Sequence, residues 1–386
     1  MKRLAAIGIC VLLATVPLSS RAADPYQIVA ILSETGSASF VGTEEAAALR
    51  VAETLANKAG GIRGRPVQFV IEDDQSSPQI SVQLMNAAVS KGAAVVLGSS
   101  IVASCRAMAP LAKDGPVQYC LSPGIQPPSG SYLFSSSIPT ASALAAAAVY
   151  FRERGWRKIA IITSTDATGQ EAEQDIDAAF NASNGQTIVS REHFNITDVS
   201  VSAQMAHVRS SGAQALIAWS TGTPTATLLR GEIEANVDLP TMIGNGNSTY
   251  AQMKAYGQFL PKELYFAVPP FFAADRLPNG PVKNAVSAFV AAFAAAGIKP
   301  DIGQALAWDP AFLTIDALKR LGPDANAQQI KSYLQNLRGW NGIDGTYDFR
   351  SVPQRGVGIN SVVITRWDPV KQGWTGMSKM GGMPLK

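Results

Sequence analysis

The chain has 386 residues, with 32 Lys and Arg against 29 Asp and Glu for a formal charge of +3, and only 2 His. A near-neutral chain without a basic patch is no partner for nucleic acid or an anionic membrane. Neither His193 nor His207 sits at the mouth of an apolar run, which leaves little material for histidine-based catalysis or metal binding.

Lys2 and Arg3 precede an apolar run from Leu4 to Leu18, with small residues following at Ser20 and Ala22. This is the pattern of a secretory signal peptide over 1–22, with cleavage after Ala22. The run is short of the ~20 apolar residues a membrane span needs. Cys10, inside it, has no small-residue lipidation box before it. The segment carries Lys2, Arg3 and Arg21 and no acid, so its removal brings the formal charge to zero. The expected product is an exported protein.

Apolar runs and amphipathic stretches then alternate. Tyr26–Leu32 reads as a strand and Ser33–Gly42 as a Gly/Ser loop; a helix capped by Thr43 reaches Ala59, where Gly60–Gly61 end it. Strand Val67–Glu72, the pair Asp73–Asp74 and helix Pro78–Lys91 follow. Asp73–Asp74 is read as a solvated strand end that caps the next helix. Ala94–Leu97 is a strand, Gly98–Ser104 a small-residue loop, and a helix starts near Cys105; strand Val117–Leu121 runs into Ser122-Pro123-Gly124. Such alternation predicts a parallel sheet covered by helices. Loops leaving the carboxyl ends of its strands converge on a crevice where small ligands bind. Ser100 and Ser104, just before a helix start, suit an anion.

Of the three cysteines, Cys105 and Cys120 fall on the same edge of one βαβ layer. In an exported chain they are expected to form a disulfide.

A second series starts after Ile138-Pro139-Thr140. Its helices are Ala141–Arg154, Gly169–Ala182, Val199–Ser210 and Pro224–Ala235. Its strands are Lys158–Thr163, Gln186–Arg191, Ala215–Trp219 and Thr241–Gly244. Several strands end in small polar residues, suggesting two sheets that face one cleft. Past strand Leu264–Val268, Pro269–Pro270 marks a crossover. Helices Val282–Ala296 and Gln304–Leu321 are expected on the first lobe, a further helix spans Ala325–Leu337 after Pro323, and Ile359–Trp367 closes the pattern. There is no G-x-S-x-G elbow, P-loop, G-x-G-x-x-G, H-E-x-x-H or metal-spaced Cys/His cluster, so no enzyme, cofactor or metal is expected.

Several marks recur in a known order. They are Gly36…Gly42, Ala59-Gly60-Gly61-Ile62-Arg63-Gly64-Arg65-Pro66, Asp73-Asp74…Pro78, Leu121-Ser122-Pro123, and Gly342-Ile343-Asp344-Gly345-Thr346-Tyr347-Asp348-Phe349. In these the sequence resembles the periplasmic solute-binding proteins of branched-chain amino acid ABC importers. The resemblance implies an α/β fold of two doubly wound lobes joined by three crossovers, periplasmic binding protein type I. Lobe 1 would be 23–140 and 270–344, and lobe 2 would be 141–269 and 345–386. It also implies a small-molecule ligand in the cleft, hinge closure, and a membrane permease that reads the closed form.

Carried over by position, the ligand residues are Phe40, Ser100, Val102, Ser104, Gly124, Gln126, Thr168, Thr221, Asn245, Asn247 and Trp308. The departures matter. Val102 stands where relatives have Ser, Gln126 where they have Thr, and Thr168 where they have Tyr. The acid that meets a ligand ammonium gives way to Gly246 between Asn245 and Asn247. The resemblance therefore implies an aromatic or other organic acid, or an amino acid, and the lost acid favours a carboxylate without an amine. Arg106 either holds that carboxylate or faces solvent. A neutral amide- or urea-type ligand, or a sensory-receptor role, are the alternatives.

Overall fold

The computed structural model describes residues 24–385; the expected signal peptide over 1–22 lies outside them. The first lobe alternates β1 (Tyr26–Leu32), α1 (Ser39–Lys58), β2 (Val67–Asp73), α2 (Pro78–Ser90), β3 (Val95–Gly98), α3 (Val102–Met108), β4 (Val117–Cys120) and β5 (Leu133–Ser135). Its five strands are all parallel, in the order β2-β1-β3-β4-β5. Helices cover both faces, so the inner strands are apolar runs rather than alternating ones.

The second lobe runs α4 (Thr140–Glu153), β6 (Lys158–Ser164), α5 (Ala167–Ala179), β7 (Thr187–Phe194), α6 (Ser202–Ser210), β8 (Ala215–Trp219), α7 (Pro224–Glu234), β9 (Thr241–Ile243), α8 (Tyr250–Ala255) and β10 (Leu264–Val268). The chain returns to the first lobe with α9 (Pro281–Ala295), α10 (Ile302–Leu321), α11 (Ala327–Asn336) and the hairpin β11 (Arg338–Gly342)–β12 (Gly345–Asp348). It ends in the second lobe as β13 (Val363–Asp368), antiparallel to β10, and β14 (Gly373–Gly376), antiparallel to β13, which extend that sheet in the order β14-β13-β10-β9-β8-β6-β7.

Each sheet separates two apolar layers. In the first lobe β1, β3 and β4 pack on α1, α9 and α10 on one face, and on α2 and α3 on the other. In the second lobe α4 and α5 cover one face and α6 to α8 the other. Capping boxes start two of the returning helices, Asp301 with Gln304 on α10 and Asn326 with Gln329 on α11.

The structure corrects the expected boundaries in several places. Helix α1 starts at Ser39, not Thr43, and so takes in Gly42. A Cβ there would lie 2.1 Å from the Ser33 carbonyl oxygen, so only glycine lets α1 sit this close to β1. Asp74 is neither solvated nor a cap. It is fully buried, and Ser77 caps α2. Helix α11 starts at Ala327 behind its Asn326 cap, not at Ala325. Residues 359–367 divide into a short turn at Ile359–Ser361 and β13. The last passage between lobes also comes later than residue 345. Tyr347, Phe349 and Val357 belong to the first lobe's core, whereas Val362 belongs to the second's.

Candidate functional site

The carboxyl ends of both sheets face one another across a cleft. The first lobe lines it with Ser100 and Val102 after β3, Ser122, Pro123 and Gly124 after β4, Val41 of α1 and Leu306 of α10. The second contributes Thr140, Thr168, Trp219, Thr221, Gly244, Asn245 and Gly246. The lobes are drawn together, leaving a cavity of about 30 Å³, roughly the volume of one water.

Every one of these side chains is uncharged. Val102, Thr140 and Thr168 lie in the first turns of α3, α4 and α5, where backbone N–H groups have no partner inside the helix. Asp166 caps α5. Pro139 and Ile101, at the starts of α4 and α3, give no side-chain cap, so those N–H groups stay available to whatever enters the cleft.

The β3–α3 loop is held from behind. Gly98 has φ +114, and a Cβ on it would stand 1.9 Å from the Ile31 carbonyl oxygen, so the loop leaves β3 in a way only glycine allows. Buried Asp74 accepts from Ser33 Oγ at 2.7 Å, Ser99 Oγ at 2.6 Å, Ser81 Oγ at 2.9 Å and Ser76 N at 2.9 Å. Ser100 Oγ accepts from Ser33 N at 3.1 Å and bonds the buried Glu45. Burial pushes the Glu45 carboxyl up to about 8, against the pull of Ser100. Near neutral pH it is therefore mostly protonated, and Ser100 can turn its own proton toward the cleft.

Six of the expected ligand residues do line the cleft, namely Ser100, Val102, Gly124, Thr168, Thr221 and Asn245. Five do not. Ser104 points back into the serine network, its hydroxyl 2.7 Å from Ser81 Oγ. Gln126 reaches across the rim to Asp175 at 3.2 Å. Asn247 is fully buried; its Oδ1 accepts from Gly222 N at 3.1 Å and Thr225 Oγ1 at 3.0 Å, and its amide donates to Ser220 O at 2.8 Å. It shapes the loop that carries Thr221 rather than touching the cleft. Phe40 bridges the lobes beside the cleft, its ring 6.4 Å from that of Tyr256. Trp308 packs among Phe289, Phe293 and Phe312 in the first lobe's core, with centroids 4.8 to 5.3 Å apart.

Trp219, at the end of β8, is the aromatic residue of the cleft that the sequence reading missed; its place at the carboxyl end of a strand was the available signal. Arg106 is partly exposed, and Glu171 of the second lobe takes its guanidinium. Cys105 and Cys120 form the expected disulfide, Cα to Cα 5.9 Å. It ties α3 to β4, the two elements whose ends form the first lobe's wall. Among the described residues no three His, Cys, Asp or Glu side chains group as metal ligands.

A sequence model described as "Periplasmic binding protein" matches residues 25–373. The chain belongs to the periplasmic binding protein family. A comparison with the sequences of curated proteins returned no match.

Solved structures share the two-lobed architecture. An extracellular ligand-binding receptor from Rhodopseudomonas palustris HaA2 superposes with a TM-score of 0.81 at 16% identity, covering 92% of this chain and 99% of its own. An ABC transporter solute-binding protein from R. palustris, in complex with benzoate, gives 0.77 at 18% identity and covers 94% and 97%. The branched-chain amino acid transporter substrate-binding protein of Streptococcus pneumoniae, in complex with isoleucine, gives 0.75 at 18% identity and covers 89% and 95%. At these identities the likeness is one of fold: periplasmic binding protein type I.

Proposed function

We propose that this periplasmic binding protein is the solute-binding component of an ABC importer of the branched-chain amino acid type. It works in the periplasm as a monomer without catalysis, and captures a small carboxylate that carries no α-amino group, such as an aromatic acid. The observation that carries the reading is the cleft lining. It has hydroxyls and two uncapped helix starts, which favour an anion, and no carboxylate to meet an ammonium. A desolvated ammonium without a counter-charge is costly to bury. Trp219, with Val41, Val102 and Leu306, offers apolar contacts for a ring once the lobes part enough to widen the cavity. The benzoate complex of one structural neighbour and the isoleucine complex of another show that the fold accommodates both ligand types, so the lining decides here.

Calorimetry on ligand-stripped protein tests this. Benzoate is expected to bind more tightly than leucine, isoleucine or valine. Submicromolar leucine binding with benzoate silent overturns the reading. Loss of uptake of that acid by cells lacking this chain, and its restoration by the chain, would tie the binding to transport.

A further inference from the structure

Arg355 lies in the last passage between lobes and is 3% exposed. Burial draws its guanidinium down to about 10, so it remains a cation at neutral pH. Its hydrogen bonds all go to main-chain carbonyls. Nη1 donates to Ser136 O at 2.8 Å and Ser137 O at 3.2 Å; Nη2 donates to Pro123 O at 3.1 Å and to Ile125 O. Carbonyls satisfy donors but neutralise no charge.

Two carboxylates of the second lobe, Glu171 and Asp175, act on this charge and offset part of it without bonding it. Glu171 bonds Arg106, and Asp175 accepts from Gln126. Desolvation, with the neighbouring Asp309 charge, holds Asp344 far above the usual carboxylate range and therefore protonated. Asp309, the member of that pair that accepts from two backbone N–H groups and from Tyr347, is turned toward β12. Pro123 and Gly124 form the cleft wall, so a buried cation bonded only to carbonyls stands directly behind that wall.

We propose that Arg355 is a specificity-determining residue of the cleft, its charge favouring an anionic ligand over a neutral one of the same shape. This rests on the reading that the cleft takes a small carboxylate, and it names the source of that preference. The guanidinium acts through the Pro123–Ile125 loop and is a positioning residue as well. It fastens that loop to Ser136 and Ser137 in the first passage between lobes. Across ~10 Å at an effective dielectric near ~20, a unit charge alters an anion's affinity on the order of tenfold.

Benzoate and benzamide separate charge from shape. Calorimetry with both is expected to show the wild type favouring benzoate at least tenfold, and Arg355→Gln reducing that ratio to within about threefold. A purely structural role would weaken both ligands and leave the ratio alone, which would overturn the proposal. Arg355→Lys provides a second arm, because a buried lysine titrates readily. Its benzoate preference should fade as pH rises from 6 to 9, a range in which benzoate does not titrate. If Arg355→Gln does not fold, as judged by its thermal melt, a flat ratio across that range in Arg355→Lys overturns the proposal. Wild-type protein that binds neither compound, or prefers benzamide, would remove the carboxylate reading and the role of Arg355 together. Benzoate preference with an unmoved variant ratio would remove only the latter.

Discussion

The guanidinium of Arg106 on α3 donates to the carboxylate of Glu171 on α5, a bond from one lobe to the other. Gln126 and Asp175 repeat the link at the same rim. On the opposite flank Asp301, which caps α10, accepts from Tyr250 N at 2.7 Å, and Ile302 N donates to Ser248 O at 3.4 Å. The lobes are thus held together from both sides of the cleft by groups that belong to the protein itself.

Glu171→Gln is expected to loosen that hold. The Arg106 side chain is 38% exposed, so water screens the pair, and a contribution of about 0.5–1 kcal/mol is the scale to expect. This corresponds to a two- to fivefold shift toward the open form. Small-angle scattering of the ligand-free variant should give a larger radius of gyration than wild type, and Arg106→Glu combined with Glu171→Arg should bring it partly back. An unchanged radius in Glu171→Gln would remove the pair from the closing mechanism.

Stability should depend on pH through several buried acids, among them Glu45, Glu232 and Asp301. Desolvation raises Glu45, Glu232 and Asp301 to about 8 from 4.5, 4.5 and 3.8. Between those limits the folded protein retains protons that the unfolded chain has released. Each group therefore lowers stability as pH rises toward 8, by at most about 1.4 kcal/mol per pH unit. Asp73, Asp348 and Asp368, all lowered, act oppositely, and the stability they give is lost as pH falls below about 4. Urea denaturation at pH 5.5 and 8 should show the higher stability at 5.5. Glu232→Gln should flatten the difference; a slope equal to wild type would rule out Glu232 as its source. Because Asp301 lies between the lobes, closure itself should also be favoured at the lower pH.

Reducing the Cys105–Cys120 bond should lower the melting temperature by several degrees. The cysteines are 15 positions apart, and closing a loop of that size stabilises by ~3 kcal/mol in the chain-entropy account. Scanning calorimetry with and without reductant gives the number. Ligand affinity should fall too, since the bridge fixes the wall around Ser100 and Ser122.

Asn245→Asp would place a carboxylate in an otherwise neutral cleft. Benzoate affinity should drop at least tenfold on electrostatic grounds, while leucine, which brings an ammonium, should gain. Titration of both ligands into both proteins checks the direction. A parallel loss for both ligands would mean that residue 245 acts only through shape.

Much of this architecture was legible because buried parallel strands read as uninterrupted apolar runs. β8 and β10 fall where Ala215–Trp219 and Leu264–Val268 predict them. β5 escaped because three residues among Ser and Pro carry no periodicity. The start of α1 was hidden because Ala38 gives no side-chain cap, so Thr43 looked like the better one.

For the site, order along the chain identified the strand-end loops but not the direction of each side chain within them. Ser100 and Ser104 are equivalent as letters. One lies on the loop facing the cleft, and the other is turned by α3 toward Ser81. Trp308 reads as a cleft aromatic only until α9 supplies Phe289 and Phe293 to surround it. Glu171 and Arg355 gain their roles from contacts across lobes and passages, which no local pattern announces.

The position of β13 bears on how the molecule comes into being. β10 has β9 on one side and β13 on the other, yet β13 lies near the C-terminal end of the chain. The first lobe likewise waits for α10 and α11 to complete its core. During vectorial synthesis neither lobe can finish, and β10 keeps a bare edge able to pair with other strands. Non-local pairings of this kind make folding slow and late. A polypeptide arranged this way stays threadable until almost all of it has been delivered, which suits passage through a membrane pore ahead of folding.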